Sequence, residues 1–529
     1  MQLRIRIGDE LQQKGDLKKT LAAYQKALNI CEDFLKHDPN DTFWLEKAAS
    51  SNFAIGDLLL ESDDLKGADE AFERSREFYL GLTQKDPNND NWLEWLGRCY
   101  CMIGDVRMNG KDIKGAEEAY RQYQKISLEL TEKHPGYTLF QQDLGWSYQR
   151  IGSIREATDD SRGAEEAYQQ FQKIFSALQQ TRPYGGAYYY RQPWSSERDE
   201  IPRNLGKSYN WIGDLRMKSD DPKGAKEAYE QYLKAFIRLS RGEASADTLH
   251  EVAQAHKKIG EALIAGGDTW AVENAYRKSL EVLSTLLEEY PDRNDWRAEL
   301  GRGSIEVGDL RAGNGDVRGA TEAFQRAQEL FLDLTGKEPD NTEWQRNLGL
   351  SYCRIGRIRS ESNDPKDAEK AYLQCQVILS ALAATDRGNT RLQDDLGQTW
   401  REVGQVRIRN DDHRGAEKAF TQSLKIYSAL ADKDPNNTDW QSNLGVSHFW
   451  IGKVRMRNGD HRGAEKAFTQ SLKIYSALAD KDPNNTDWQL ALARAYCDIG
   501  NVRKMDGDLK GALTAYEKAL DLTGTREPD

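Results

Sequence analysis

The sequence predicts an all-α repeat protein, about eleven antiparallel helix pairs placed one after another. Three observations predict it. A glycine, usually after isoleucine, stands at Gly8, Gly56, Gly104, Gly152, Gly213, Gly260, Gly308, Gly356, Gly404, Gly452 and Gly500, a 48-residue period with one longer step after Gly152. An aspartate follows each of these glycines by eight residues, as at Asp64, Asp112 and Asp460. An aromatic residue follows each by sixteen, as at Phe72, Tyr120, Phe324 and Phe468.

The first helix of each repeat carries the glycine. In the tenth repeat Trp440, Leu444, His448 and Ile451 fall on one helical face. Thr342-x-x-Gln345, Thr438-x-x-Gln441 and Thr486-x-x-Gln489 predict capping boxes at such helix starts. A second glycine lies seven residues earlier, as in the pairs Gly97/Gly104, Gly301/Gly308 and Gly349/Gly356. Mid-helix glycine costs about 1 kcal/mol relative to alanine, so two on one face predict close approach of a neighbouring helix. The aspartate column reads as N-caps of the second helix rather than as a metal or acid–base cluster, since a carboxylate accepts the orphan N–H groups of a first turn. Pro222 and Pro365 directly after Asp221 and Asp364 agree with that start. Alanine one turn before the aromatic, as at Ala116, Ala416 and Ala512, completes a small/large packing face. Asp-Pro-Asn-Asn at 434–437 and 482–485 ends the second helix. Residues 409–441 and 457–489 differ only at Asp411 versus Gly459, which a late duplication explains.

Composition sets the function class. At 529 residues the length alone would suggest three or four domains, but the repeat overrides that prior. Only 38% of residues are hydrophobic and mean hydropathy is −0.81, so much of the surface stays wet. No apolar run approaches the roughly 18 residues that span a bilayer, and the start lacks a signal-peptide core. Six cysteines without a CxxC pair fit a reducing compartment rather than a disulfide scaffold. The net charge of −12 weighs against nucleic acid as the bulk partner. The expectation is a soluble, cytoplasmic protein without membrane contact.

The columns resemble the tetratricopeptide repeat: Ile499-Gly500, Gly507-Asp508, Ala512, Tyr516 and Ala519 stand at that family's spacing, and an aromatic four before the glycine fits at Tyr100, Tyr148 and Trp400. The family period is 34, so this one is longer by 14 residues, about two turns per helix. The resemblance implies a right-handed superhelical solenoid whose first helices line a concave groove for a protein or peptide. It also implies a regulatory arm, fused or tethered to an effector enzyme in a bacterial signalling system. On that reading residues 1–181 hold repeats one to four, the first truncated; 182–202 form an aromatic-rich insertion; 203–529 hold repeats five to eleven. The chain starts inside a first helix and ends where another repeat would begin, so a fragment of a longer protein is expected.

If the family's groove positions carry over, they lie three before, one after and five after each ruler glycine. The position one after reads Asp9, Asp57, Asp105, Ser153, Asp214, Glu261, Asp309, then Arg357, Gln405, Lys453 and Asn501. With Arg401, Arg409 and Arg457 from the other two positions, the groove is expected to be acidic over seven repeats and basic over the eighth to tenth. Such a basic patch suits a carboxylate, an acidic peptide or a phosphate. The competing reading is a solvated face of local ion pairs, which holds if Asp105 and its column mates are tied to neighbouring repeats. An arginine column three after the ruler, Arg107 to Arg503, reads as structural pairs between repeats more than as phosphate contacts. In the insertion, Tyr184, Tyr188, Tyr189, Tyr190, Arg191 and Trp194 form a hot-spot composition; partner contact, packing on the chain's own groove and disorder all remain open there.

No enzyme is expected. Gly206-Lys207-Ser208 ends like a P-loop, but Ile201 stands where its leading glycine belongs. HExxH and GxSxG are absent from the sequence. Cys101, Cys353 and Cys497 share one column and line successive helices instead of chelating a metal. No cofactor is expected. A nucleic-acid-sensing arm is the alternative function.

Overall fold

The computed structural model describes residues 17–180, 197–241 and 244–523, and every regular element among them is an α-helix. The chain forms two compact units, 1–268 and 269–529. The first holds α1 (Leu17–Leu35), α2 (Thr42–Glu61), α3 (Leu65–Lys85), α4 (Asp90–Asn109), α5 (Ile113–Lys133), α6 (Thr138–Ala157), α7 (Ser161–Gln180), α8 (Glu197–Lys218), α9 (Pro222–Leu239) and α10 (Ala246–Ile264). The second holds α11 (Thr269–Glu289), α12 (Asn294–Gly313), α13 (Val317–Lys337), α14 (Thr342–Glu361), α15 (Pro365–Thr385), α16 (Thr390–Arg409), α17 (His413–Lys433), α18 (Thr438–Arg457), α19 (His461–Lys481), α20 (Thr486–Met505) and α21 (Leu509–Thr523). Even-numbered helices are the first helices of their repeats. Within each unit each helix packs against the next, and in the second unit α12, α14, α16 and α18 also approach one another in sequence. No described helix is long and apolar enough to cross a membrane.

The caps explain where helices begin. Asp112 Oδ1 accepts from the Gly115 backbone N–H at 3.0 Å, and Asp460 from Gly463 at 2.9 Å. The predicted aspartate caps are therefore present. The predicted capping boxes are off by one residue. Asn341, Asn437 and Asn485 are the caps, accepting from the backbone N–H of Trp344, Trp440 and Trp488. Thr342 is already inside the helix, and the Gln345 amide donates back to the Pro339 carbonyl instead of closing a box. Asparagine wins because its short acceptor reaches the third N–H from an extended backbone. The turn between paired helices is equally fixed. The seventh residue after the ruler has positive φ in every described repeat, from Asp63 (62°) to Gly507 (83°). The next N–H then reaches back to the ruler-plus-three carbonyl, as Asp460 does to Arg455 at 2.9 Å. Asp411 (59°) and Gly459 (79°), the one difference between the duplicated segments, both sit at this left-handed position.

Between paired helices the glycine face meets the aromatic face. A Cβ added to Gly104 would lie 2.3 Å from Tyr120 Cε1, and one added to Gly452 would lie 2.6 Å from Phe468 Cε1. The earlier glycine row meets the same partner helix two turns further on: Gly145 faces Phe175 at 2.5 Å and Gly445 faces Tyr475 at 2.8 Å. The eighth repeat is looser, with nothing nearer than 3.5 Å to an added Gly349 Cβ. Gly349→Ala should therefore raise stability by about 1 kcal/mol, the intrinsic helix gain, read as a higher urea midpoint. Across repeats the core closes with alanines: Ala416 and Phe420 of α17 pack with Ile451 and Val454 of α18 and Ala467 of α19.

Two sequence expectations meet a different outcome. Cys353 on α14 shares a disulfide with Cys375 on α15, their Cα atoms 5.6 Å apart, whereas the cysteines were expected to be unpaired. The shared column of Cys101, Cys353 and Cys497 gave no sign of it because the partner lies on the other helix. In addition, α8 starts at Glu197, so 197–202 of the expected insertion is helical and Pro202 stands within that helix.

Candidate functional site

Two ladders of charged side chains run between neighbouring repeats. The outer ladder uses the arginine column. Arg311 Nε donates to Glu273 at 2.8 Å, Arg407 to Glu369 at 2.8 Å, Arg455 to Glu417 at 2.8 Å and Arg503 to Glu465 at 2.7 Å. Arg107 bridges Asp69 (3.1 Å) and Glu73 (2.7 Å), while Arg155 turns to its own cap, Asp160, at 2.5 Å. All of these but Arg155 pair with the neighbouring repeat, so the reading of the column as structural pairs between repeats holds for them and fails at Arg155.

The inner ladder lies on the first helices. Its rungs join the position one after a ruler to the position two before the next. Asp105 Oδ1 accepts from Arg150 Nε at 2.7 Å and Oδ2 from Nη2 at 3.0 Å, and Tyr120 donates its hydroxyl to the same carboxylate at 2.6 Å. Asp214 takes Lys258 at 2.5 Å and the Tyr229 hydroxyl at 2.7 Å. Asp309 takes both Arg354 and Arg357, at 2.7 and 2.8 Å. In the tenth repeat the polarity reverses: Lys453 donates to buried Asp498 at 2.7 Å. Two further rungs are aromatic, with Trp211 against Tyr168 (5.3 Å) and Trp450 stacked on Phe420 (5.6 Å). Burial opposes the Arg150 charge, but Asp105 outweighs it and raises that pKa, while burial and then Asp105 push the Tyr120 hydroxyl up.

Asp57 is the exception. By register Met102 stands at its rung position and Phe72 at its ring position, and among the described residues no ion pair or hydrogen bond reaches it. Burial first, then Glu61 one turn on, push its carboxyl up to about 7.

The predicted groove of split charge is corrected by these rungs. Asp105, Asp214 and Asp309 are locked to neighbouring repeats, so the acidic stretch is not a row of free carboxylates. On the basic side, Arg357 is held by Asp309 and Lys453 by Asp498. Arg401 donates to Asn443 Oδ1 at 2.7 Å and Arg409 to Ser360 Oγ at 2.6 Å. Only Arg457 of this set is exposed and makes no ion pair or hydrogen bond among the described residues. Tyr184, Tyr188, Tyr189, Tyr190, Arg191 and Trp194 lie outside the described residues. The cation positions two before the ruler were not singled out from sequence. Reading that column against the preceding repeat's position would have found them, because Asp/Arg, Asp/Lys and Lys/Asp pairs stand 44 or 45 residues apart.

Residues 206–235 match a family described as tetratricopeptide repeat. No curated protein matches the chain. Among solved structures it is similar to a signal-transduction ATPase with numerous domains and a tetratricopeptide repeat sensor from Pyrococcus horikoshii (12% identity, 78% of this chain and 54% of that one, TM-score 0.43). It is also similar to the apo form of RapI (15% identity, 60% and 97%, TM-score 0.38) and to BtubC from P. vanneervenii (14% identity, 51% and 92%, TM-score 0.38).

Proposed function

We propose, from the premise that the chain is an array of tetratricopeptide-like repeats, that it is a scaffold binding a protein or peptide along its first helices. One observation carries this reading. The columns that hold the fold repeat along the chain, whereas the column three before the ruler varies in chemistry: beside Cys101, Cys353 and Cys497 it reads Phe53, Gln149, Asn210, Lys257, Ile305, Arg401 and Phe449. Packing fixes the glycine, aromatic and cap columns to one residue type, so a partly buried column that tolerates phenylalanine, glutamine, lysine and arginine is where specificity is written. On this reading the chain performs no chemistry of its own. It acts in the cytoplasm as the sensing or regulatory arm of a larger signalling assembly, tethered to an effector. The engaged state of Arg357, Arg401, Arg409 and Lys453 favours protein over nucleic acid, because a phosphate backbone would have to displace existing partners.

The test is capture from a lysate of the source organism at about 50 and about 500 mM salt, beside an Arg401→Glu, Arg409→Glu, Arg457→Glu variant, with bound protein and nucleic acid both identified. The expected result is a defined protein bound by the wild type and lost from the variant. Heterogeneous nucleic acid released at the higher salt, or no saturable partner, would sink the reading.

A further inference from the structure

Within each unit the inner rungs fall into a few chemical types. An ionic rung pairs a carboxylate with a guanidinium or ammonium, as at Asp105/Arg150, Asp214/Lys258 and Asp309/Arg354. An aromatic rung places tryptophan over the neighbouring ring, as at Trp211 and Trp450. The rung between the second and third repeats is neither. It keeps the carboxylate, Asp57, but offers it Met102. Asp57 makes no hydrogen bond or ion pair among the described residues, although desolvation makes an unpaired carboxylate costly. Glu61 adds a like charge from the same helix, and that burial and repulsion push Asp57 up to about 7.

The other rungs show what the position accepts. Arg150 meets Asp105 with two parallel N–H···O bonds of 2.7 and 3.0 Å. Lys258 meets Asp214 while its ammonium sits 5.4 Å from the centre of the Tyr229 ring. At the second repeat Phe72 stands where Tyr229 does, packed against Gly56 as Tyr229 is against Gly213. Asp57 and Met102 are both only partly buried, as Arg150 and Lys258 are, so this rung is reached from solvent.

We infer that this rung is a socket for a cationic side chain of a bound peptide, with Asp57 taking the arginine or lysine that the chain itself supplies at the equivalent rungs. The charged head pairs with Asp57, and the methylene stem lies along Met102. The inference rests on the scaffold reading and narrows it: the ligand carries a basic residue where it crosses the second and third repeats.

The experiment uses the full chain labelled with 13C at its methionine methyl groups, of which there are six, titrated with N-acetyl-arginine methylamide. The Met102 signal, assigned by its loss in Met102→Arg, is expected to shift saturably while the other five stay still. Asp57→Asn is expected to weaken the probe about tenfold or more, as loss of a charge-assisted pair does. The uncharged citrulline analogue is expected to leave Met102 unmoved. A still Met102 signal, or equal shifts with Asp57→Asn or with citrulline, overturns the socket. Met102→Arg separates the two readings. A captured protein that binds Met102→Arg and Asp57→Asn as well as wild type overturns the socket and leaves the scaffold standing. An arginine response without any captured protein supports the socket and removes the scaffold.

Discussion

Arg150→Met is expected to destabilise the fourth repeat and its neighbours by about 2–4 kcal/mol. Breaking a buried pair by removing one partner typically costs about 3–5 kcal/mol, and the exposed fractions here, 30% for Arg150 and 24% for Asp105, trim that figure. Methionine is a fair replacement in shape, since Met102 fills the same position one repeat earlier. What is lost is the two-pronged contact to Asp105, leaving a carboxylate held by the Tyr120 hydroxyl alone. Adding Asp105→Asn should recover much of the loss, because the unpaired charge is the expensive part. Repeat arrays unfold in segments, so hydrogen exchange across α4 to α7 is the sharper measurement beside the urea midpoint. An unchanged exchange pattern would mean that the inner ladder is decorative.

Gly308→Ala should lower stability by about 2 kcal/mol even though alanine is the better helix former by about 1 kcal/mol. The added methyl would sit 2.4 Å from Phe324 Cε1, and Phe324 is fully buried beside Ala320 and Ile358. The ring has no space to turn into, so the hairpin must spread. Phe324→Leu in the same chain should restore part of the loss by opening room for the methyl. Calorimetry of the single and double variants decides the matter; a neutral Gly308→Ala would show that the hairpin yields more easily than its packing implies.

The fold was legible because its determinants recur at one spacing. Gly308 and Phe324 lie sixteen residues apart in one hairpin, so a single ruler exposes both. Asp316 is as plain, since capping is local. Legibility faded where interactions cross repeats. Asp105 and Arg150 are 45 residues apart, and Asp105 taken by itself looks like a free groove carboxylate. The same reason hid the Cys353–Cys375 disulfide, whose halves occupy different columns. The helix start at Thr342 was misplaced by one residue because asparagine and threonine both cap well, and only the backbone at Asn341, with φ −75° and ψ 96°, separates them. In its own column Asp57 is one acid among several. Its distinction lies in what Met102 and Phe72 fail to supply.

The duplicated segment has a consequence for how the chain finds its register. Helices α17 and α19 are identical in sequence, and each offers the same glutamate to the following repeat, Glu417 to Arg455 and Glu465 to Arg503. A folding chain could therefore skip the tenth repeat and dock α20 directly on α17 without changing any outer contact. The inner rung forbids it. In the correct register buried Asp498 meets Lys453; in the skipped register it would meet Gln405 and stand uncompensated. The reversed polarity of that one rung thus acts as an address, telling two otherwise interchangeable copies apart.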